Sequence, residues 1–164
     1  MTEDIVRSLG YLPLGSRFRR IGERLQADTQ RILDQSGLPL LASHHPFLAA
    51  LDRLGPLTIG ELAEAVGVTQ PGATRSIGQL AGLGLVRSRV APDDQRRRIV
   101  SLTDVGKTLV DSAKATVWPL VERAVADLCS RLEGSLLDQL AALEDGLAEK
   151  PLYRRMPKPE QAKK

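Results

Sequence analysis

Residues 55–90 read GPLTIGELAEAVGVTQPGATRSIGQLAGLGLVRSRV, and three structural elements are legible within them. Thr58 is a predicted N-cap with Glu61 three residues on, the spacing of a capping box. Ile59, Leu62, Ala63 and Val66 then recur at helical spacing, and Gly67 can end the helix in a left-handed conformation. Thr69 caps a second helix, with Pro71 in its first turn, where a missing N–H costs little. Ala73, Ile77, Leu80 and Ala81 face one way; Gln70, Thr74, Arg75 and Gln79 lie elsewhere, mostly exposed. Gly82 and Gly84 close it. Two helices joined by a tight turn containing glycine make a helix-turn-helix.

From Val86 the period falls from 3.6 to 2. Val86, Ser88 and Val90 alternate with Arg87 and Arg89; Pro92, Asp93 and Asp94 supply turn chemistry; Arg98, Val100 and Leu102 alternate with Ile99 and Ser101. The pattern predicts a β-hairpin with an arginine-rich loop.

Helices flank this centre. Upstream, Leu14, Phe18, Ile21, Leu25, Ile32 and Leu33 form a stripe over about Leu14–Asp34, with Ser16 as the expected cap. A further helix is expected from Ser43 as N-cap, with Pro46 in its first turn and Phe47, Leu48, Leu51 and Leu54 as its buried side, stopped by Gly55-Pro56. Downstream, one long helix is predicted from Thr103 to about Glu133, kinked near Trp118 by Pro119. A last helix starts at Ser135, with Asp138 completing a capping box, and carries Leu136, Leu140, Leu143 and Leu147. The fold class is therefore mainly α with a small antiparallel hairpin.

The chain has 164 residues, 42% hydrophobic and 3% aromatic, so helix packing through Leu, Val, Ala and Ile is the expected source of stability. No apolar run is long enough for a transmembrane helix, and Met1–Gly10 does not read as a signal peptide; with the single Cys129, a cytoplasmic, reducing setting is expected. The net charge of +3 is a weak hint of nucleic acid. The basic stretch 150–164, with six Lys and Arg against Glu160, more than accounts for it. The informative charge is local: Arg87, Arg89, Arg96, Arg97 and Arg98 against Asp93 and Asp94. Such a run alone is often only a solvated turn; after a helix-turn-helix and paired with a strand it points to DNA.

Taken together, Gly55–Val68, then Thr74-Arg75 with Gln79–Val86, then Asp94-Gln95-Arg96 with Val100–Thr103 and Gly106, resemble the multiple antibiotic resistance regulator (MarR) family in order and spacing over roughly residues 14–149. The resemblance implies a winged helix-turn-helix in each subunit of a homodimer. The helix from Thr69 would be the recognition helix, and the hairpin between Arg87 and Ile99 the wing. It divides the chain into an N-terminal dimerisation helix (1–36), a DNA-binding lobe (43–102) and C-terminal dimerisation helices (103–150); the polar, basic, proline-bearing composition of 151–164 adds a flexible basic tail. It further implies a repressor on a pseudo-palindromic operator, released when a small-molecule effector binds between the dimer region and the DNA-binding lobe.

The residues support the same roles physically. A helix in the major groove offers its N-terminal residues to base edges. Gln70 can pair with adenine, Arg75 with guanine, and Thr74 can meet a thymine methyl, while Pro71 and Gly72 keep the helix start slim. Arginine is favoured in a narrow minor groove. The resemblance gives that role to Arg96, with Asp94 orienting it or a nearby arginine; Arg97 and Arg98 depart from the family pattern by adding charge, and either is a candidate to share phosphate contact. Arg87 and Arg89 are expected to hold phosphates, which position without reading sequence.

His44 and His45 sit on adjacent helical positions about 100° apart, so they are not expected to hold one metal ion. Surface or satisfied, partly buried histidines are the plainer reading. Cys129 reads as a buried, inert thiol, and Trp118 and Phe18 as core filling. No phosphate loop, metal-binding motif or nucleophile elbow occurs, so neither an enzyme nor a cofactor is expected. The rival reading is a winged-helix protein–protein interaction module without DNA binding, against which the arginine cluster argues.

Overall fold

The computed structural model describes residues 2–90 and 97–156. Its helices are α1 (Ile5–Ser8), α2 (Leu14–Gln35), α3 (His45–Leu54), α4 (Ile59–Val66), α5 (Gln70–Gly82), α6 (Asp104–Ala115), α7 (Val117–Cys129) and α8 (Leu136–Glu149). Three short strands, β1 (Leu57–Thr58), β2 (Val86–Val90) and β3 (Arg98–Leu102), form one antiparallel sheet in the order β1-β3-β2. Two compact units result, Met1–Glu122 and Arg123–Lys164.

The centre of the first unit follows its local signals. Thr58 Oγ1 accepts the Glu61 N–H at 3.2 Å, and the Glu61 carboxylate accepts the Thr58 N–H and hydroxyl, each at 2.7 Å. Gly67 ends α4 at φ 71°, ψ 35°, where a residue with a Cβ would be strained. Thr69 caps α5 through the Gly72 N–H. The register pairs Val86 with Leu102 and Ser88 with Val100, so the period-2 pattern sends Val86, Val100 and Leu102 inward. There they meet Leu48 and Leu51 of α3, Leu62 of α4, and Ile77 and Leu80 of α5. Burying each such side chain stabilises the lobe by about 1.5–3 kcal/mol.

Glu61 is held below the usual glutamate range, chiefly by the hydrogen bonds from Thr58, with help from the Arg97 charge. A lowered carboxylate pKa contributes stability above the unfolded value, and that contribution is lost as pH falls through the folded value. Thr58→Ala is expected to cost about 1 kcal/mol in a urea titration at neutral pH. The gap between variant and parent should narrow once the medium is acid enough to protonate Glu61. A gap that ignores pH would remove the carboxylate from the account.

Several expectations are corrected. The long helix from Thr103 to Glu133 is two helices, broken at Thr116 (φ −123°, ψ −77°). Pro119 has no N–H for the Ala115 carbonyl and its ring would clash with that carbonyl, so the chain breaks a turn upstream and places Pro119 in the first turn of α7. Ser16 lies inside α2, whose N-cap is Pro13 without a side-chain bond. Ser43 lies within a 3-10 turn, Ala42–His44, and His44 is the N-cap of α3. Two elements went unforeseen: α1, capped by Asp4 through the Arg7 N–H, and β1, which pairs with β3 through Leu57 and Thr58.

In the second unit Ser135 caps α8 through the Asp138 N–H. The stretch from Pro151, expected as a loose tail, opens with a 3-10 turn, Leu152–Arg154. Arg155 folds back on the end of α8, donating Nε to the Lys150 carbonyl at 2.8 Å and its terminal nitrogen to the Gly146 carbonyl. The Lys150 carbonyl lies at a helix end, where carbonyls lack intrahelical partners, while the Gly146 carbonyl also accepts the Lys150 N–H. Residues 157–164 lie outside the described residues.

Candidate nucleic-acid interface

The first two turns of α5 project Gln70, Pro71, Thr74 and Arg75 to solvent, while Ala73, Ile77 and Leu80 on the opposite face are buried. Thr74 donates its hydroxyl proton to the Gln70 carbonyl at 2.9 Å, so its donor is engaged on its own helix and the oxygen's acceptor sites and the methyl are left for an outside partner. Arg75 has no ion-pair partner among the described residues.

Arg87 and Arg89 are exposed on β2, opposite Ser101 and Ile99. Because Val86, Val100 and Leu102 turn toward α5, the two arginines stand on the other face of the hairpin. There they border a groove of about 650 Å³ with Asp52 of α3 and Lys107 of α6. Arg87 Nε donates to Ser101 Oγ at 3.3 Å. Arg98 is exposed opposite Val90, at the end of the ladder. Arg97 is exposed and its charge acts on Glu61. Asp94 and Arg96, with the turn residues Pro92 and Asp93, lie outside the described residues. Thus α5 carries one candidate set and the hairpin a second, separate one.

Sequence reasoning missed the tie that holds α5 from behind. His44 is 3% exposed. Its Nδ1 accepts the Leu41 backbone N–H at 3.3 Å, which can only donate, so Nε2 bears the proton and donates to Gln79 Oε1 at 3.1 Å. The loop before His44 is fixed in turn by Gln30 of α2, which accepts the Ala42 N–H at 2.8 Å and donates to the Leu40 carbonyl at 3.0 Å. A part-buried run of hydrogen bonds therefore leads from α2 to α5. Nothing in the periodicity announces it; the two adjacent histidines are the only hint.

His45 points elsewhere. Trp118 Nε1 donates to its Nδ1 at 2.7 Å, and the rings meet edge to face at 6.0 Å and 72°. Burial, then the neighbouring His44, lowers its pKa, so the imidazole is neutral with the proton on Nε2. That nitrogen is the one buried side-chain polar atom without a hydrogen-bond partner among the described residues. His45 and Trp118 line a cavity of about 400 Å³ walled also by Leu33, Ala49 and Val121. Both histidines are thus partly or fully buried and engaged with protein groups. Phe18, expected in the core, is 41% exposed; Trp118 is half-buried and packs on the core; Cys129 is a half-buried free thiol.

Comparison with known proteins gives a consistent picture. Residues 36–97 match the family model described as MarR family. The chain is 37% identical over 83 residues to the HTH-type transcriptional regulator PetP of Rhodobacter capsulatus, a match spanning 51% of this chain and about half, 49%, of PetP. Among solved structures, the M. tuberculosis regulator MOSR in complex with DNA superposes with a TM-score of 0.66 at 25% identity, covering 82% of this chain and 93% of MOSR. A mutant MarR from E. coli complexed with operator DNA gives 0.68 at 22% identity, covering 90% of this chain and 98% of that one, and shares the fold. No helix among the described residues is long and apolar enough to cross a membrane.

Proposed function

Given a chain that belongs to the MarR family through its winged helix-turn-helix, we propose a cytoplasmic, non-enzymatic transcription regulator that binds double-stranded DNA as a homodimer. The observation that carries this is the face of α5: Gln70, Thr74 and Arg75 exposed together at its N-terminal end, with an arginine-bearing hairpin beside it. Recognition helices of two copies entering successive major grooves require half-sites about one helical turn apart, hence a pseudo-palindromic operator. Gln70, Pro71, Thr74 and Arg75 read bases. Arg87, Arg89, Arg97 and Arg98 contact phosphates, and Arg96, with Asp94, serves the minor groove at the wing. The dimer joins 1–36 and 103–150 of one copy to those of the other. In support, α2 leaves Phe18, Ile21 and Leu25 open to solvent in one row, and α8 leaves Leu143 and Leu147 open. Residues 43–102 form the DNA-binding lobe and 151–164 a basic tail. The protein is a repressor whose small-molecule effector occupies the cavity beside His45 and Trp118.

The test is a gel shift with genomic fragments at two salt concentrations. A protein that neutralises 6–10 phosphates should lose roughly 10³–10⁵ in affinity between 50 and 200 mM salt. Indifference to every duplex at low salt overturns the reading in favour of a protein–protein interaction module.

A further inference from the structure

We infer that His44 is a specificity-determining residue that never touches DNA: through Gln79 it fixes the rotation of α5 about its own axis and so aims Arg75. The inference rests on the reading of α5 as the base-reading helix.

Two kinds of force hold α5. Ala73, Ile77 and Leu80 press it onto the core, an attraction that is strong but without direction. Directional restraint comes from a single bond. Among the described residues, the one from His44 Nε2 to Gln79 Oε1, at 3.1 Å, is the only side-chain hydrogen bond between α5 and another element; those of Thr69 and Thr74 stay within the helix and its cap. No ion pair among the described residues reaches α5 either.

The anchor is itself fixed. His44 is buried, and its other ring nitrogen holds the Leu41 N–H, so turning the imidazole would strip a backbone donor of its partner. Gln30 ties the same loop to α2 at Leu40 and Ala42, and its amide also donates to Asp34 at 2.8 Å.

What the anchor controls follows from helix geometry. Gln79 lies four residues after Arg75, about 40° around the axis, so the two share one strip of α5. With side chains a helix is about 10–12 Å across, and a turn of about 10° carries a side-chain end about 1 Å. Hydrogen bonds operate over roughly 2.7–3.2 Å, so a shift of that size breaks the paired contacts of an arginine with guanine while leaving its attraction for phosphates. The expected signature is lost discrimination with little lost affinity for arbitrary DNA.

The readout is the ratio of affinities for a duplex selected by the full-length protein and for a scrambled one, at one salt concentration, each variant's fold being checked by thermal melting. Gln79 is exposed, so replacing it leaves the core intact. Gln79→Leu should lower the ratio about five- to tenfold, the lower range for losing a base contact, with scrambled-duplex affinity kept within about twofold. Gln79→Glu keeps the acceptor; its added charge should weaken both duplexes and leave the ratio within about twofold of the parent's. In an Arg75→Ala background, Gln79→Leu should change the ratio by less than about twofold, and His44→Phe with Gln79→Leu should be no worse than either alone. A merely structural tie would lower melting temperature and both affinities together. An unchanged ratio in Gln79→Leu, equal falls in the Leu and Glu variants, or an undiminished fall in the Arg75→Ala background overturns the inference. A parent that binds both duplexes alike, or neither, removes the base-reading role of α5 and this inference with it, a result read on the parent alone.

Discussion

Gly106→Ala should destabilise the protein by about 3 kcal/mol or more, a large share of the 5–15 kcal/mol that holds an ordinary domain together. Gly106 lies in the first turn of α6, and a Cβ there would stand 2.0 Å from the Leu85 carbonyl oxygen and 3.0 Å from its carbon. The obstacle is backbone, so no rotamer change relieves it. α6 would have to withdraw from Leu85, and the same carbonyl accepts the Thr103 N–H at 3.0 Å and the Thr103 hydroxyl at 3.2 Å. The Thr103 hydroxyl also lies 2.7 Å from the Gly84 carbonyl and caps α6 through the Gly106 N–H. Overpacking costs about 1–3 kcal/mol, and each lost hydrogen bond adds about 1. The gain in helix propensity from Gly to Ala returns only about 1. Gly78→Ala supplies the contrast. Gly78 is also helical, but nothing lies within 4 Å of its Cβ position, so alanine there should stabilise by about 0.5–1 kcal/mol. Denaturant midpoints at one protomer concentration check both signs. Two substitutions of equal sign would show that α6 does not press on the Leu85 carbonyl.

What the sequence disclosed divides along the range of the interactions. The capping box at Thr58, the left-handed stop at Gly67 and the alternation from Val86 to Leu102 are local patterns, and each forms where its spacing predicts. The break at Thr116 needed the carbonyl of Ala115 as well as Pro119, so a kink was expected near Trp118, two residues too late. Ser16 and Ser43 have capping chemistry, but a serine caps only if the chain upstream leaves it at a helix start, and Pro13 and the 3-10 turn decide otherwise. Gly106 reads as a weakness in a helix until the Leu85 carbonyl is set against it. The exposed residues of α5 were legible because the buried ones opposite them are. The bond from His44 to Gln79 joins residues 35 apart and has no local signature at all. Arg87 and Arg89 were legible as charged strand residues, but which face they take depends on Val100 and Leu102 pairing with β2.

That last difference makes Arg75 and Arg87 unequal. With a duplex selected by the protein itself, Arg75→Ala should cost about 1–3 kcal/mol and relax specificity at one base pair. The residue stands on the exposed side of α5, is free of any ion pair among the described residues, and follows a threonine whose hydroxyl proton is already committed to Gln70. A guanidinium so placed can form the paired hydrogen bonds that guanine offers and adenine does not. Arg87 is on the hairpin face turned from α5, with Nε already donating to Ser101. From there a base edge is the wrong target, and only long-range attraction or a backbone phosphate is within its means. Arg87→Ala should therefore weaken all sequences alike and reduce the slope of log affinity against log salt by about 1. Affinities for the selected site and for a scrambled duplex, each at three salt concentrations, separate the two effects. If both variants lose affinity uniformly, α5 is not the reading element and the specificity must lie in the wing or in the shape of the DNA.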